Sequence, residues 1–159
     1  MSKNNPNPFN AQLDRDVRVC IIQAEWNGHI TGELTSHCVD TLKKHGIDER
    51  LIDTFFVPGA VELTFAASQA IETGAFDVII VFGCVIRGDT PHFDYVCQSV
   101  TQGVTHLNAE CDIPVIFGVL TVENEQQAID RTGRESDKGA EAAEAALKMV
   151  DYLRRLDNL

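Results

Sequence analysis

A chain of 159 residues, 44% of them hydrophobic, can bury one substantial core and is short for two. Its 24 acidic against 13 basic side chains give a formal charge of −11 and a pI of about 4.7, which argues against nucleic acid or an anionic membrane surface as partner. No apolar run approaches the ~18 residues of a membrane-spanning helix, and the polar, Asn- and Pro-rich start has no signal-peptide core, so a cytoplasmic protein is expected.

Residues 1–16 read as an extended N-terminal arm and 17–159 as a single domain. Residues 17–24, β-rich and nearly all apolar, predict a first strand. Asn27 is placed to cap a helix through about His45, with Gly46 as its stop. Residues 51–57 predict a second strand, ended by Pro58-Gly59. A helix over about 60–73 follows and stops at Gly74. Residues 77–82 are the third strand, and 92 to about 110 the third helix. Residues 114–120 are the fourth strand, 124–131 a short helix and 138–156 a long one. The polar stretch 131–137 is the clearest break. Strands that are apolar throughout and alternate with helices predict a parallel sheet covered on both faces, hence an α/β fold of three layers. Alanines at 140, 142, 143, 145 and 146 raise helix propensity and equally suit a close helix–helix contact.

The five cysteines form no CxxC pair, and no Cys/His spacing fits zinc, so reduced thiols acting as small hydrophobes, and no metal, are expected. No dinucleotide or P-loop glycine pattern is present. Chemistry concentrates after the third strand, in Gly83-Cys84-Val85-Ile86-Arg87-Gly88-Asp89-Thr90-Pro91-His92-Phe93-Asp94-Tyr95. A strand-to-helix loop lies at the carboxyl edge of the sheet, where open α/β folds bind ligands, and the next helix points unpaired N–H groups at the same spot. Arg87, Gly88 and Thr90 suit an anion, and His92 is a side chain able to shuttle protons near neutral pH. The plain alternative is an ordinary turn with Thr90 as a cap. Against the global negative charge an anionic ligand needs local cations, which makes Arg87, Arg131, Arg134 and Lys138 worth following. Trp26, after the first strand, is either a core plug or a platform for a flat heterocycle. Glu62, early in the second helix, suits the helix dipole.

The same stretch resembles the signature of the lumazine synthases. Three more segments match in order: Val57-Pro58-Gly59-Ala60-Val61-Glu62-Leu63, the strand at 114–121, and Gln127-Ala128-Ile129-Asp130-Arg131 with Lys138-Gly139. Together they span the chain from about Val17 to its end.

The resemblance implies a flavodoxin-like three-layer α/β/α fold with a mostly four-stranded parallel sheet, the arm adding a strand to a neighbouring subunit. It implies a transferase of riboflavin biosynthesis without a cofactor, condensing 5-amino-6-ribitylaminouracil with 3,4-dihydroxy-2-butanone 4-phosphate. The implied partners are these small molecules, phosphate and further copies of the chain in a homopentamer whose sites are shared between adjacent subunits. By the same resemblance Trp26, where the family usually has Phe, stacks on the pyrimidine, with Asn27 beside it. Glu62 binds the ribityl hydroxyls, helped by Gly59, Ala60 and Val61, while Val85 and Ile86 line the ring pocket. Gly88, Asp89 and Thr90 face the phosphate, Asp89 through its N–H, and His92 is the general acid/base. Phe117, Arg131 and Lys138 come from the neighbouring subunit. The link from Arg131 to Gly139 departs from the common family form: it is shorter and lacks the Gly-Asn pair before Lys-Gly. A non-catalytic flavin or lumazine carrier on the same scaffold is the alternative; it would keep Trp26 and Glu62 and have no use for His92 and Arg131. A flavodoxin-like signalling domain would want an acidic cluster or phosphate loop after the first strand, and Glu25-Trp26-Asn27 supplies neither.

Overall fold

The computed structural model describes residues 16–159. The predicted N-terminal arm, and any strand it adds to a neighbour, lies outside the described residues except for Asp16. Four parallel strands, β1 (Val19–Ala24), β2 (Ile52–Val57), β3 (Val78–Ile86) and β4 (Val115–Val122), form one sheet in the order β2-β1-β3-β4. Helix α1 (Gly28–Lys44) leads from β1 to β2, α2 (Glu62–Glu72) from β2 to β3 and α3 (His92–Glu110) from β3 to β4; α4 (Glu125–Ile129) and α5 (Lys138–Asp157) close the chain. The chain runs outward from β1 to β2, then returns past β1 to β3. Loops leaving β1 and β3 therefore diverge to opposite faces and open a crevice at the carboxyl edge between them.

Each strand of the interior is apolar on both sides because both sides are covered. Val19, Ile21, Val78, Ile80 and Phe82 pack with Ile30, Leu34, Leu42 of α1 and Ala143, Ala146, Leu147 of α5. Cys20, Ile22, Ile79 and Val81 pack with Leu63 and Ala67 of α2 and Val100, Val104 of α3. The three layers, α1/α5, sheet, α2/α3, are the predicted α/β/α arrangement.

Two glycines set how closely the layers approach. A Cβ on Gly139 would run into the Leu34 carbonyl oxygen, so α5 lies against the α1 backbone, and Ala142, Ala143 and Ala146 continue that contact. The alanines of the last helix therefore serve close helix packing as well as propensity. A Cβ on Gly118 would sit 2.5 Å from Phe82 Cδ1 and 2.7 Å from the Val81 carbonyl oxygen. The absent side chain at 118 makes room for the Phe82 ring, which is fully buried.

The third strand is longer than predicted. It passes through Gly83 and Cys84 to Ile86 because Gly83 pairs with Val119 as an ordinary ladder residue. A Cβ there would meet Leu63 Cδ1 at 3.1 Å, so Gly83 is a packing glycine and not a stop. Residues 49–51 form a 3-10 turn capped by Asp48, whose carboxylate accepts from Arg50 N at 2.9 Å. Its bonds to Arg50 hold the Asp48 carboxyl down at about 2.

Candidate functional site

The exit of β1 is tied to both neighbours. Glu25 N donates to the Val57 carbonyl at 2.8 Å and Trp26 N to that of Pro58 at 3.1 Å, extending the β1–β2 pairing beyond the strands. Asn27 has left-handed backbone (φ +56°), a conformation that asparagine tolerates better than most residues, and starts α1 with its carbonyl, accepting from the Ile30 and Thr31 N–H groups. Its side chain does not cap the helix, contrary to the sequence expectation. The Nδ2 group instead donates to the Cys84 carbonyl of β3 at 2.8 Å. The turn so fixed projects the Trp26 ring outward, 74% exposed, which excludes the core-plug reading.

Gly59 lies between Trp26 and Glu62: a Cβ built on it would stand 3.5 Å from Trp26 Cδ1 and 3.3 Å from Glu62 Oε2. The aromatic face and the carboxylate therefore share one shelf, with a glycine floor between them. Ala60 is buried beneath it; Val61 and Glu62 are exposed. Glu62 is the first residue of α2, where a carboxylate is favoured by the helix dipole.

Across the crevice, Val85 and Ile86 are half-buried and Gly88, Asp89, Thr90 and His92 exposed. Thr90 caps nothing: α3 begins at His92, after Pro91, without a side-chain cap. The side chains of Asp89, Thr90 and His92 make no hydrogen bond to another described residue, and nothing lies within 4 Å of a Cβ at Gly88. Arg87 is not free for a ligand. Its Nε lies 2.9 Å from Glu123 Oε2, its Nη2 3.1 Å from Asp94 Oδ1, and its guanidinium carbon 4.1 Å from the Phe93 ring centroid. At the same edge, burial first and the Glu125 carboxylate second push the Cys84 thiol up to about 11, so it stays a neutral thiol and a poor nucleophile.

Phe117, Arg131 and Lys138 lie on β4, just after α4 and at the start of α5. Phe117 sits on outer strand β4, level with Val81 of β3 and Ile22 of β1 and two strands across from the exit of β1. Its ring is 41% exposed. Arg131 Nη1 donates to the Gln127 carbonyl at 2.6 Å, and Lys138 pairs with Glu141 at 2.5 Å. The link between them is compact. A bridge joins Thr132 to Asp137, Lys138 N donates to the Arg131 carbonyl at 3.0 Å, and Gly133 takes φ +106°. His37 of α1 buttresses it, with Nδ1 2.9 Å from Asp137 Oδ2 though not aligned for a hydrogen bond. In sequence His37 belongs to no motif and reads as a surface or helix-packing residue, as does His29, which meets Glu125 at 2.7 Å and ties the starts of α1 and α4. Only contacts across the fold bring out these two histidines. Arg134 is exposed.

A concavity of about 620 Å³ lined by Asp16, Gly46, Asp48, Arg50 and Leu51, and one of about 200 Å³ lined in part by Asn108, Cys111, Pro114 and Tyr152, both lie at the amino ends of strands. Among the described residues no group of three or more His, Cys, Asp or Glu is placed to hold a metal ion, and no helix is long and apolar enough to cross a membrane.

An α/β/α sandwich whose switch-point loops present an aromatic face, a carboxylate and a Gly-Asp-Thr-Pro-His turn defines a small-molecule-binding protein of the flavodoxin-like class. The family model of 6,7-dimethyl-8-ribityllumazine synthase matches residues 16–154. A 6,7-dimethyl-8-ribityllumazine synthase of Bacteroides fragilis is 54% identical over 134 residues, covering 84% of this chain and 94% of the relative. One of Parabacteroides distasonis is 51% identical over 146 residues, 91% of each chain, and one of Phocaeicola vulgatus 51% over 142 residues, 89% of this chain and 84% of the relative. The chain belongs to the 6,7-dimethyl-8-ribityllumazine synthase family, transferases of riboflavin biosynthesis.

Proposed function

We infer that the shelf at the carboxyl edge binds the pyrimidine substrate of the family's reaction and that a second copy of the chain completes the phosphate end. The reaction is the condensation of 5-amino-6-ribitylaminouracil with 3,4-dihydroxy-2-butanone 4-phosphate to 6,7-dimethyl-8-ribityllumazine, phosphate and water. The substrate's 5-amine attacks the ketone carbon, a first water leaves as the imine forms, and phosphate is eliminated to leave an enol. The enol tautomerises to a ketone, and the ribityl-bearing amine closes the ring onto it with loss of a second water. The amine is itself the nucleophile, so the chain's task is to orient two substrates and move protons.

In this reading Trp26 stacks on the pyrimidine, with Val85 and Ile86 lining the ring pocket. The Glu62 carboxylate accepts from the ribityl hydroxyls beside Gly59, Ala60 and Val61. Asn27 has its amide committed to Cys84, leaving Oδ1 and the backbone to face the ligand. The phosphate meets the N–H groups of Gly88, Asp89 and Thr90, and His92, one turn-residue beyond, carries protons. The observation that carries the reading is the juxtaposition of Trp26, Gly59 and Glu62 on one shelf, bonded through Asn27 to the strand that leads to His92.

Phe117, Arg131 and Lys138 serve the neighbouring subunit's site. The apolar surface that one chain leaves uncovered supports this, with Phe56 63%, Phe65 71% and Tyr95 69% exposed. A closed ring of five, in the cytoplasm, is the assembly proposed. The test is complementation. At substrate concentrations below KM, Trp26→Ala and Arg131→Ala proteins are each expected to be slow alone, and subunit exchange between them to restore lumazine formation, followed optically. No recovery despite demonstrated exchange contradicts the shared site.

A further inference from the structure

We propose that Arg87 is a positioning residue that masks the carboxylates of Asp94 and Glu123 from an anionic substrate while pinning the loop 88–91 between its two ends. The inference rests on reading residues 88–90 as the phosphate-facing loop. The chain carries −11, and the loop itself holds Asp89 and is flanked by Asp94 on α3 and Glu123 at the end of β4. Left bare, the two flanking carboxylates would repel a phosphate at the loop. Arg87 meets both: Nε with Glu123 at 2.9 Å, Nη2 and Nη1 with Asp94 at 3.1 and 3.4 Å.

The geometry assigns Arg87 no direct part in phosphate binding, because three of its nitrogens already face carboxylates and its plane lies over Phe93. Its side chain is 36% exposed against 61% for each partner, so the pairs contribute little to stability, and their consequence is local charge and loop shape. The backbone adds to the second effect. Arg87 N donates to the Val122 carbonyl at 2.9 Å, fixing one end of the loop to β4, while the Asp94 pair fixes the other end two residues past His92. A flat five-donor fork holds two carboxylates on separate elements in a fixed geometry, whereas a lysine ammonium would meet them as a point charge on a flexible stem.

Steady-state kinetics on the full-length enzyme, varying each substrate in turn, test this. Arg87→Gln is expected to raise the KM for the butanone phosphate about threefold to tenfold and to leave that for the pyrimidine within about twofold, the difference shrinking at high salt. The triple variant Arg87→Gln/Asp94→Asn/Glu123→Gln, which removes the masked charges with the mask, is expected to recover most of the lost affinity. A triple variant as poor as Arg87→Gln overturns the proposal, since a direct phosphate ligand or a mere prop would not be rescued. Arg131→Ala runs beside them. If it raises the phosphate KM and Arg87→Gln does not, the mask is wrong and the site reading stands; if both are silent, the phosphate-site reading fails as well. Should Arg87→Gln not assemble, Asp94→Asn/Glu123→Gln alone reports with opposite sign. Its phosphate KM falls if Arg87 is a mask and overturns the proposal if it rises or stays.

Discussion

Asn27 and Cys84, 57 positions apart, are joined by a 2.8 Å hydrogen bond from the asparagine amide to the backbone carbonyl of β3. The bond holds the turn that carries Trp26 against the strand that leads into the loop 88–91, so one side chain sets the spacing of the two sides of the crevice. Asn27→Ala removes the bond and leaves a poorly suited residue in left-handed backbone. A loss of about 1–3 kcal/mol in denaturant unfolding is expected from the two effects together. Asn27→Gly, which accepts the backbone and lacks only the amide, should lose less. Equal losses would mean that the backbone conformation is not part of the cost.

Trp26 is the side chain whose exposure most clearly separates binding from packing. Trp26→Ala should weaken the pyrimidine substrate and the lumazine product by about 1–3 kcal/mol, as loss of an aromatic stacking partner does elsewhere. Trp26→Phe should be nearly silent. Product binding followed by the ligand's own fluorescence checks both, and unchanged binding in the alanine variant removes the stacking role. Stability should hardly move in either variant, because the ring is 74% exposed.

His92→Ala should lower kcat at the low end of the roughly 10²–10⁴-fold range of general acid/base groups, because the substrate amine is already nucleophilic and water can carry protons. Affinity for the product should change little, since the side chain is exposed and bonded to no other described residue. If kcat between pH 6 and 8 has the same profile in the variant as in the parent, His92 is not the proton carrier.

The sheet was readable because its strands are runs of apolar β-formers, and both helix layers because their apolar faces recur at helical spacing. Errors fell where a residue's use depends on a distant partner. Gly83 looked like a strand end and is a packing position against Leu63. Asn27 looked like a cap and bonds to Cys84. Arg87 looked like a phosphate ligand on local sequence, but Asp94 and Glu123, the latter 36 positions away, already occupy it. His37 gave no signal at all, because the link it supports is 100 positions further on, at Asp137.

Gly139 is expected to be among the least replaceable residues of the last helix. In Gly139→Ala the new methyl meets the Leu34 carbonyl, and backbone cannot move aside as a side-chain tip would. A cost of about 1–3 kcal/mol is expected, as for overpacking of a tight core, seen as a lower Tm. Gly28→Ala, in the first turn of α1 with nothing within 4 Å of its Cβ, is the control and should be neutral or slightly stabilising. A Gly139→Ala protein as stable as its parent would mean that α1 and α5 can separate freely.

The same contact bears on the proposed assembly, because Gly139 follows the link 131–138 between α4 and α5, whose shape bears on whether rings tile. Here it is short and closed on itself by the Thr132–Asp137 bridge and the Lys138–Arg131 backbone bond, with His37 against it. A link folded back onto its own subunit presents less surface to a neighbouring ring. Charge works in the same direction: each chain carries −11, and tiling rings into a shell would bring that charge together on closely apposed surfaces. A free pentamer is therefore expected, of about 88 kDa from five chains of 17.5 kDa. Light scattering after size exclusion at physiological salt decides it. A peak near a megadalton would show that the short link tiles after all, and an active monomer would remove both the ring and the shared site.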